Sequence, residues 1–187
     1  MNKIANLLFK KKSSLHYIDG YCSPVSNKDV LPWHTDQAYA GNIKKFKNFV
    51  NPDHYQIKFF IYLTDVSSNN GCMSYIPGSN KISYLIRKGI FLKILKYEPY
   101  WMLKDFRNFI LKKENYTYLE TQLEGKSLID DFLLKTEFIN KNSDTLDFDY
   151  SMSAGDAIIF DEGGIHKGSK TSKNERIVLR YMFHSIE

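Results

Sequence analysis

The chain has 187 residues, 43% of them hydrophobic and 25% charged, the profile of one soluble globular domain (1–187) large enough to bury a core. Its net charge of +5 comes from 22 Lys and only 4 Arg; with Arg scarce and no recognised binding motif, nucleic acid is excluded as an expected partner. The basic excess reads as a solvated surface, with attraction to an anionic substrate, phosphate or membrane surface as the alternative.

Cys22 and Cys72 lie too far apart in sequence for a paired metal motif and form no disulfide framework, so a reducing cytoplasm is the expected location. Met1 to Lys12 holds only a short apolar patch, Ile4 to Phe9, which does not make a secretion signal, and no apolar run is long enough to span a bilayer.

In chain order, residues 1–30 form a short N-terminal segment, a helix followed by a connection containing Gly20, Ser23, Pro24, Ser26 and Asn27. A strand follows at about 32–38, carrying Trp33-His34-Thr35-Asp36-Gln37. Strand side chains alternate, so His34 and Asp36 would share one face and Trp33, Thr35 and Gln37 the other. Residues 40–54 are polar and rich in Lys and Asn, with a turn at Asn51-Pro52-Asp53. Gln56 to Thr64 is rich in β-branched and aromatic residues and predicts a strand; Ser67 to Gly71 predicts a turn, and Cys72 to Ile76 the second strand of a hairpin closed by Pro77-Gly78-Ser79.

From 80 to 140 the period changes. Ile82, Leu85, Ile86, Ile90 and Leu95, then Leu103, Phe106, Phe109 and Ile110, recur at helical spacing, interrupted by Glu98-Pro99, and a further helix is expected over Ser127 to Lys135. This helical insertion packs outside a sheet or forms a lid over a site. Within it, Phe91 to Lys96 is basic and amphipathic; helix packing is expected, and a membrane surface is the alternative. Strands return near 146–152, a turn follows at Ala154-Gly155-Asp156, and Ala157 to Phe160 reads as a short buried strand. Gly163 and Gly164 lead to His166, and the last strand runs from Arg176 to His184. Strands on both sides of a helical insertion, joined by short turns, predict a mainly β antiparallel jelly roll.

A second histidine brought beside His34 and Asp36 would complete a two-histidine, one-carboxylate set. That set suits iron(II), leaving cis positions open for a co-substrate and oxygen. With 5 His and 13 Asp in the chain, about one such sequence in three carries His-x-Asp by chance, so the pair needs its context. His166 is the candidate third ligand. In the last strand Arg176, Val178, Arg180, Met182 and His184 share a face. Arg176, ten residues beyond His166, could hold the far carboxylate of 2-oxoglutarate in a planar two-bond fork, or could make a surface ion pair with Glu175. Arg180 is the rival anchor. His54 beside Asp53 pairs only on paper, since adjacent strand residues face opposite ways; His16 reads as a surface residue, His184 as packing at the strand end, and both cysteines as unreactive small hydrophobes.

The chain resembles the phytanoyl-CoA dioxygenase family of iron(II)/2-oxoglutarate oxygenases over roughly residues 30–184. The resemblance is carried by Trp33-His-Thr-Asp-Gln37, Phe60 to Val66, Asn70-Gly71, Ile76-Pro-Gly-Ser-Asn-Lys81, Gly155-Asp156, Phe160, His166, Gly168-Ser169 and Arg176. It implies a double-stranded β-helix of cupin-like form, with His34, Asp36 and His166 as metal ligands, Arg176 as the 2-oxoglutarate anchor and Ser169 assisting the co-substrate, although Lys167 displaces that serine by one position. It implies Fe(II), 2-oxoglutarate and O2 as cofactor and co-substrates, and hydroxylation of an unactivated C–H in a small-molecule or acyl substrate, with decarboxylation to succinate and CO2. Asp36 argues for hydroxylation over halogenation, in which related enzymes have a small residue at that place. Asn80 stands where the family usually has His, and Ser79 or Asn80 is expected to cap the next helix. The stretch before the metal strand is shorter than is usual in the family. Two other readings stay open: an inactive jelly-roll binding protein or remnant, and a cupin-type epimerase or isomerase using histidine as a base without iron.

Overall fold

The apolar run that starts at Gln56 is the strand on which both layers of the protein are assembled. The computed structural model describes residues 1–38, 56–141 and 148–186. Eight strands are found there: β1 Ser13–Ser23, β2 Leu31–His34, β3 Gln56–Tyr62, β4 Met73–Tyr75, β5 Asp149–Tyr150, β6 Ala157–Asp161, β7 His166–Gly168 and β8 Arg176–Ser185. They form two four-stranded sheets, ordered β1-β8-β3-β6 and β2-β7-β4-β5. Every pairing between these strands is antiparallel. The chain passes repeatedly from one sheet to the other, the winding of a jelly roll, or double-stranded β-helix.

Strand β3 is buried on both faces. Phe60 and Tyr62 point between the sheets, where they meet Phe160 of β6, Val178 of β8, Cys72 and Met73. Ile57 and Phe59 point outward and pack with Phe183 under helix α1 Asn2–Phe9, which contributes Ala5. Four further helices stand in the chain between β4 and β5: α2 Ser79–Phe91, α3 Leu103–Ile110, α4 Lys113–Gln122 and α5 Ser127–Lys141. In α2 the buried residues Ile82, Leu85, Ile86 and Ile90 follow helical spacing. They share one core with Phe106, Phe109, Ile129 and Phe132 of the later helices, with Trp33 of β2, and with Ile76 and Ile165, which adjoin β4 and β7. The helices thus pack as one layer on the second sheet. None of the described helices is long and apolar enough to cross a membrane.

Several local expectations are corrected. Residues 13–23 are not a connection but a full strand. It is an edge strand whose Leu15, Tyr17 and Ile18 stay exposed, so its apolar alternation is faint; pairing with β8 makes it regular. The strand holding His34 ends there, and Asp36 lies in the turn beyond it. Strands β3 and β4 do not form a hairpin, because the chain over 63–72 crosses from the first sheet to the second. Strand β6 is an edge strand, and Ala157 and Ile159 are exposed rather than buried. Neither Ser79 nor Asn80 caps α2, which instead starts after Gly78 at φ 84, a left-handed conformation that glycine adopts without strain. The Ser79 hydroxyl donates to Ile76 O (2.6 Å) and accepts from Ile165 N–H (2.8 Å), while Asn80 Nδ2 donates to Asp161 Oδ2 (3.1 Å). In the Phe91 to Lys96 stretch the helix stops at Phe91; Leu95 is buried, whereas Phe91, Leu92 and Ile94 are exposed. The polar stretch 40–54, with the turn at 51–53 and His54, lies outside the described residues, as does the start of the strand expected near 146.

Phe106 ties the helical layer together, its ring 5.5 Å from Phe132 and 6.1 Å from Tyr100. Replacing this fully buried ring by alanine removes its burial and leaves a cavity, so F106A is expected to lower the unfolding free energy by about 3–5 kcal/mol. The urea midpoint of a two-state denaturation reads this; an unchanged midpoint would mean that the layer does not unfold with the sheets.

Candidate metal centre

Pairing between β2 and β7 puts His34 directly opposite His166. Their rings lie 4.3 Å apart between centroids. Asp36 reaches the same point from the turn after β2, because that turn is stitched to the loop preceding His166. Its amide donates to Glu162 O (3.1 Å), the Thr35 amide donates to Trp101 O (3.0 Å), and the Thr35 hydroxyl donates to Gly163 O (2.8 Å). Asp36 Oδ1 then stands 3.3 Å from His34 Nε2, and Oδ2 stands 3.2 Å from His166 Nε2. The three ligand atoms lie within 4.8 Å of one another, the one such group of His, Cys, Asp or Glu among the described residues.

Each imidazole is aimed by its other nitrogen: His34 Nδ1 pairs with Pro32 O (2.7 Å) and His166 Nδ1 with Gly164 O (2.9 Å). A carbonyl only accepts, so each ring carries a proton on Nδ1 and turns its Nε2 toward the centre, the orientation a metal ligand needs. Nε2 of His34 is buried and makes no hydrogen bond among the described residues. Burial pushes the His166 pKa down, against the pull of Asp36, which favours the neutral ligand form. Burial by itself would raise the Asp36 pKa, but the adjacent His166 and His34 rings and the Lys58 ammonium prevail and hold it well below the usual carboxylate range. With both imidazoles neutral, the trio would supply the donor set of a mononuclear iron(II) site with open positions.

A cavity of about 230 Å³ opens from this point and is lined, among others, by Tyr21, Lys58, Phe60, Met73, Arg176 and Arg180. Arg176 is buried; its Nη1 donates to Gly71 O (3.2 Å) and its Nη2 to the Tyr21 hydroxyl (2.9 Å), while Nε has no partner among the described residues. Arg180 is engaged differently, in a two-bond fork with Asp19 (2.8 and 2.7 Å) that raises its pKa. Ser169 is not among the lining residues; its hydroxyl lies 3.4 Å from Cys72 Sγ. His16 and His184 face one another with ring centroids 5.0 Å apart, outside this group. Cys22 is exposed beside Glu175, and Cys72 is buried.

Three residues of the centre escaped the sequence reading. Lys58 contacts Asp36 Oδ2 and stands 3.3 Å from Glu162 Oε2. Glu162 is buried and also accepts from Gln37 Nε2 (3.3 Å). Lys58 had a signal, being the one charged side chain in the apolar run of β3, on the same face as Phe60 and Tyr62. Tyr21 had none, because its strand was read as a connection.

Comparison with known proteins agrees with this architecture. The sequence model of the phytanoyl-CoA dioxygenase family matches residues 2–178. No curated protein sequence matches the chain. Among solved structures, the chain is similar to EvdO2 from Micromonospora carbonacea var. aurantiaca complexed with 2-oxoglutarate, at 14% identity over 99% of this chain and 58% of that one, with a TM-score of 0.54. It is similar to the epimerase SnoN in complex with Fe3+, alpha ketoglutarate and nogalamycin RO, at 12% identity over 98% of this chain and 54% of that one, TM-score 0.53. HygX from Streptomyces hygroscopicus, with nickel, 2-oxoglutarate and hygromycin B bound, matches at 14% identity over 97% of this chain and 61% of that one, TM-score 0.52. The chain therefore spans little more than half the length of these structures.

Gly164 is held without a side chain by its neighbour: a Cβ there would come within 1.9 Å of the Tyr75 hydroxyl. The Tyr75 ring stacks near His166, centroids 6.4 Å apart, and its hydroxyl donates to Asp161 O (3.2 Å). G164A is expected to displace Tyr75 and the carbonyl that aims His166, weakening divalent metal binding by about tenfold while the fold survives. Isothermal titration with nickel(II), alongside far-ultraviolet circular dichroism, checks it.

Proposed function

This chain belongs to the phytanoyl-CoA dioxygenase family, and from that premise we propose that it is a non-haem iron(II)- and 2-oxoglutarate-dependent dioxygenase that hydroxylates an unactivated C–H of a small-molecule or acyl substrate. The observation that carries this reading is the convergence of His34, Asp36 and His166 at one end of a cavity that also holds the partly unpaired Arg176. The solved structures it is similar to hold Fe3+ or nickel with 2-oxoglutarate in the same fold class, which supports the same cofactor and co-substrate here.

His34, Asp36 and His166 would hold the metal, and the chemistry supplied when metal and keto acid are bound is oxygen activation coupled to decarboxylation of 2-oxoglutarate to succinate and CO2. The protein's own contribution is placement. Arg176, which lines the cavity and whose buried Nε has no partner among the described residues, would hold the far carboxylate of the co-substrate, with the Tyr21 hydroxyl fixing its Nη2. Arg180, already paired with Asp19, is the weaker candidate for this anchor. Ser169 would act through Cys72 and the β7 end rather than by touching the co-substrate. Phe60 and Met73 line the cavity with apolar surface that keeps water away from the reacting centre. With Lys58, Arg176 and Arg180 on its wall, the cavity suits an anionic substrate better than a cationic one.

One observation favours the second reading, an inactive jelly-roll binding protein: the Lys58 ammonium already sits on the carboxylate that the metal would use. The two readings separate in an anaerobic titration with iron(II) and 2-oxoglutarate. The dioxygenase develops the visible charge-transfer band of a chelated keto acid, loses it in H166A, and in R176A binds 2-oxoglutarate about a hundredfold more weakly. A folded protein that never shows the band is the binding protein, and a band unaffected by R176A removes Arg176 from the anchor role.

A further inference from the structure

A lysine in the centre of a sheet core needs a reason, because an ammonium taken from water is unfavourable unless it is paired. Lys58 is 8% exposed at its side chain, on a strand otherwise apolar over Ile57 to Tyr62. Its register explains where it points: with Phe60 and Tyr62 it faces the space between the sheets, and across the ladders it lies opposite Met182 of β8 and Phe160 of β6. There it meets two acids from different elements. Asp36 comes from the turn after β2, and Glu162, with 2% side-chain exposure, from the loop after β6. Glu162 is also held by Gln37, so its second oxygen is committed to the Lys58 side.

These contacts have an unequal relation to the metal trio. Asp36 Oδ2 is shared between the Lys58 ammonium and His166 Nε2, while Oδ1 faces His34 Nε2 alone. A divalent ion held by the trio must therefore share Asp36 with a fixed positive charge, and like charges at this range in a partly buried site repel strongly. Glu162, whose side chain pairs with Lys58 and Gln37, is placed to offset that charge.

We propose that Lys58 is a positioning residue for the metal centre: its ammonium, balanced by Glu162, holds Asp36 in the ligand arrangement before metal arrives and sets the affinity of the filled site. This rests on the reading of His34, Asp36 and His166 as a divalent-metal site. It makes the two members of the pair act with opposite sign. Removing the ammonium leaves the metal as the sole cation on Asp36 and tightens metal binding, at the expense of the metal-free protein. Removing the Glu162 charge leaves the ammonium unopposed and weakens metal binding.

The test uses cobalt(II) as the probe in the full chain, followed by quenching of tryptophan fluorescence, since the Trp101 ring lies 6.0 Å from that of His34. The wild type is expected to bind cobalt and H166A to lose it. K58M should bind cobalt about tenfold more tightly and E162Q about tenfold more weakly, with K58R near the wild type because it keeps the charge. In the absence of metal, K58M should melt several degrees below the wild type, as a buried acid pair loses its counter-ion. Damage to the fold would weaken binding in both variants, so opposite shifts identify the electrostatic role. Unchanged or weaker binding in K58M overturns the proposal while leaving the metal site standing, and should K58M not fold, unchanged or tighter binding in E162Q overturns it alike. A wild type that binds no cobalt overturns the metal site and the proposal together.

Discussion

Everything at the centre depends on how β2 pairs with β7. Antiparallel pairing brings residues from distant parts of a chain face to face at a separation fixed by the ladder, and here it sets His34 opposite His166. A shift by one residue would turn one imidazole to the other face, into the helical core where Trp33 lies. The register is defended from both sides. Trp33 is locked into the helical layer, and the turn carrying Asp36 is bonded through backbone and hydroxyl to the loop at 162–163. The candidate metal trio is thus built on a ladder rung and a stitched turn, an arrangement that would hold its donor atoms in place before an ion is present.

Behind the trio stands an unusual concentration of buried charge. Asp36, Lys58 and Glu162, with Gln37, form a network in which each acid is answered by the same ammonium. Its internal balance explains the divergence of the two carboxylates: burial raises the pKa of Glu162 in spite of Lys58, whereas two imidazole partners and the ammonium keep Asp36 ionised in spite of its burial. The other end of the cavity repeats the logic with arginines. Asp19 satisfies Arg180, and among the described residues no acid does the same for Arg176; Tyr21 and a backbone carbonyl take part of its donors and leave the buried Nε without a partner there.

The helical layer is the part in which the chain departs from a plain sandwich. Its core is continuous with Trp33, Ile76 and Ile165, residues directly adjoining the strands and turns that carry the site. Through Trp101, whose carbonyl accepts the Thr35 amide and whose ring stands edge-on to His34, this layer also touches the centre itself. Packing of the helices and orientation of a ligand are for this reason one mechanical unit.

How much of this could be read from the chain follows from the range of the interactions involved. Local signals sufficed for β3, where a run of aromatic and β-branched residues admits one structure, and for the helices over 80–140, where apolar spacing is decisive. The motif residues His34, Asp36 and His166 were legible because their order and spacing survive in the one-dimensional string, and the structure brings all three together. What escaped was set by partners distant in sequence. Strand β1 owes its regularity to β8 rather than to its own pattern, so Tyr21 went unseen; β4 joined the other sheet because of a crossover that no local turn signal distinguishes from a hairpin. Arg176 and Arg180 sit one strand period apart with the same chemistry, and their difference was decided by Asp19, more than 150 residues upstream. Lys58 was visible as an anomaly in its strand, but its meaning appeared only when folding placed two acids around it. Sequence determines which side chains have the chemistry; tertiary structure decides which of them are already satisfied, because charge pairing in a folded chain depends on neighbours in space and not on neighbours in sequence.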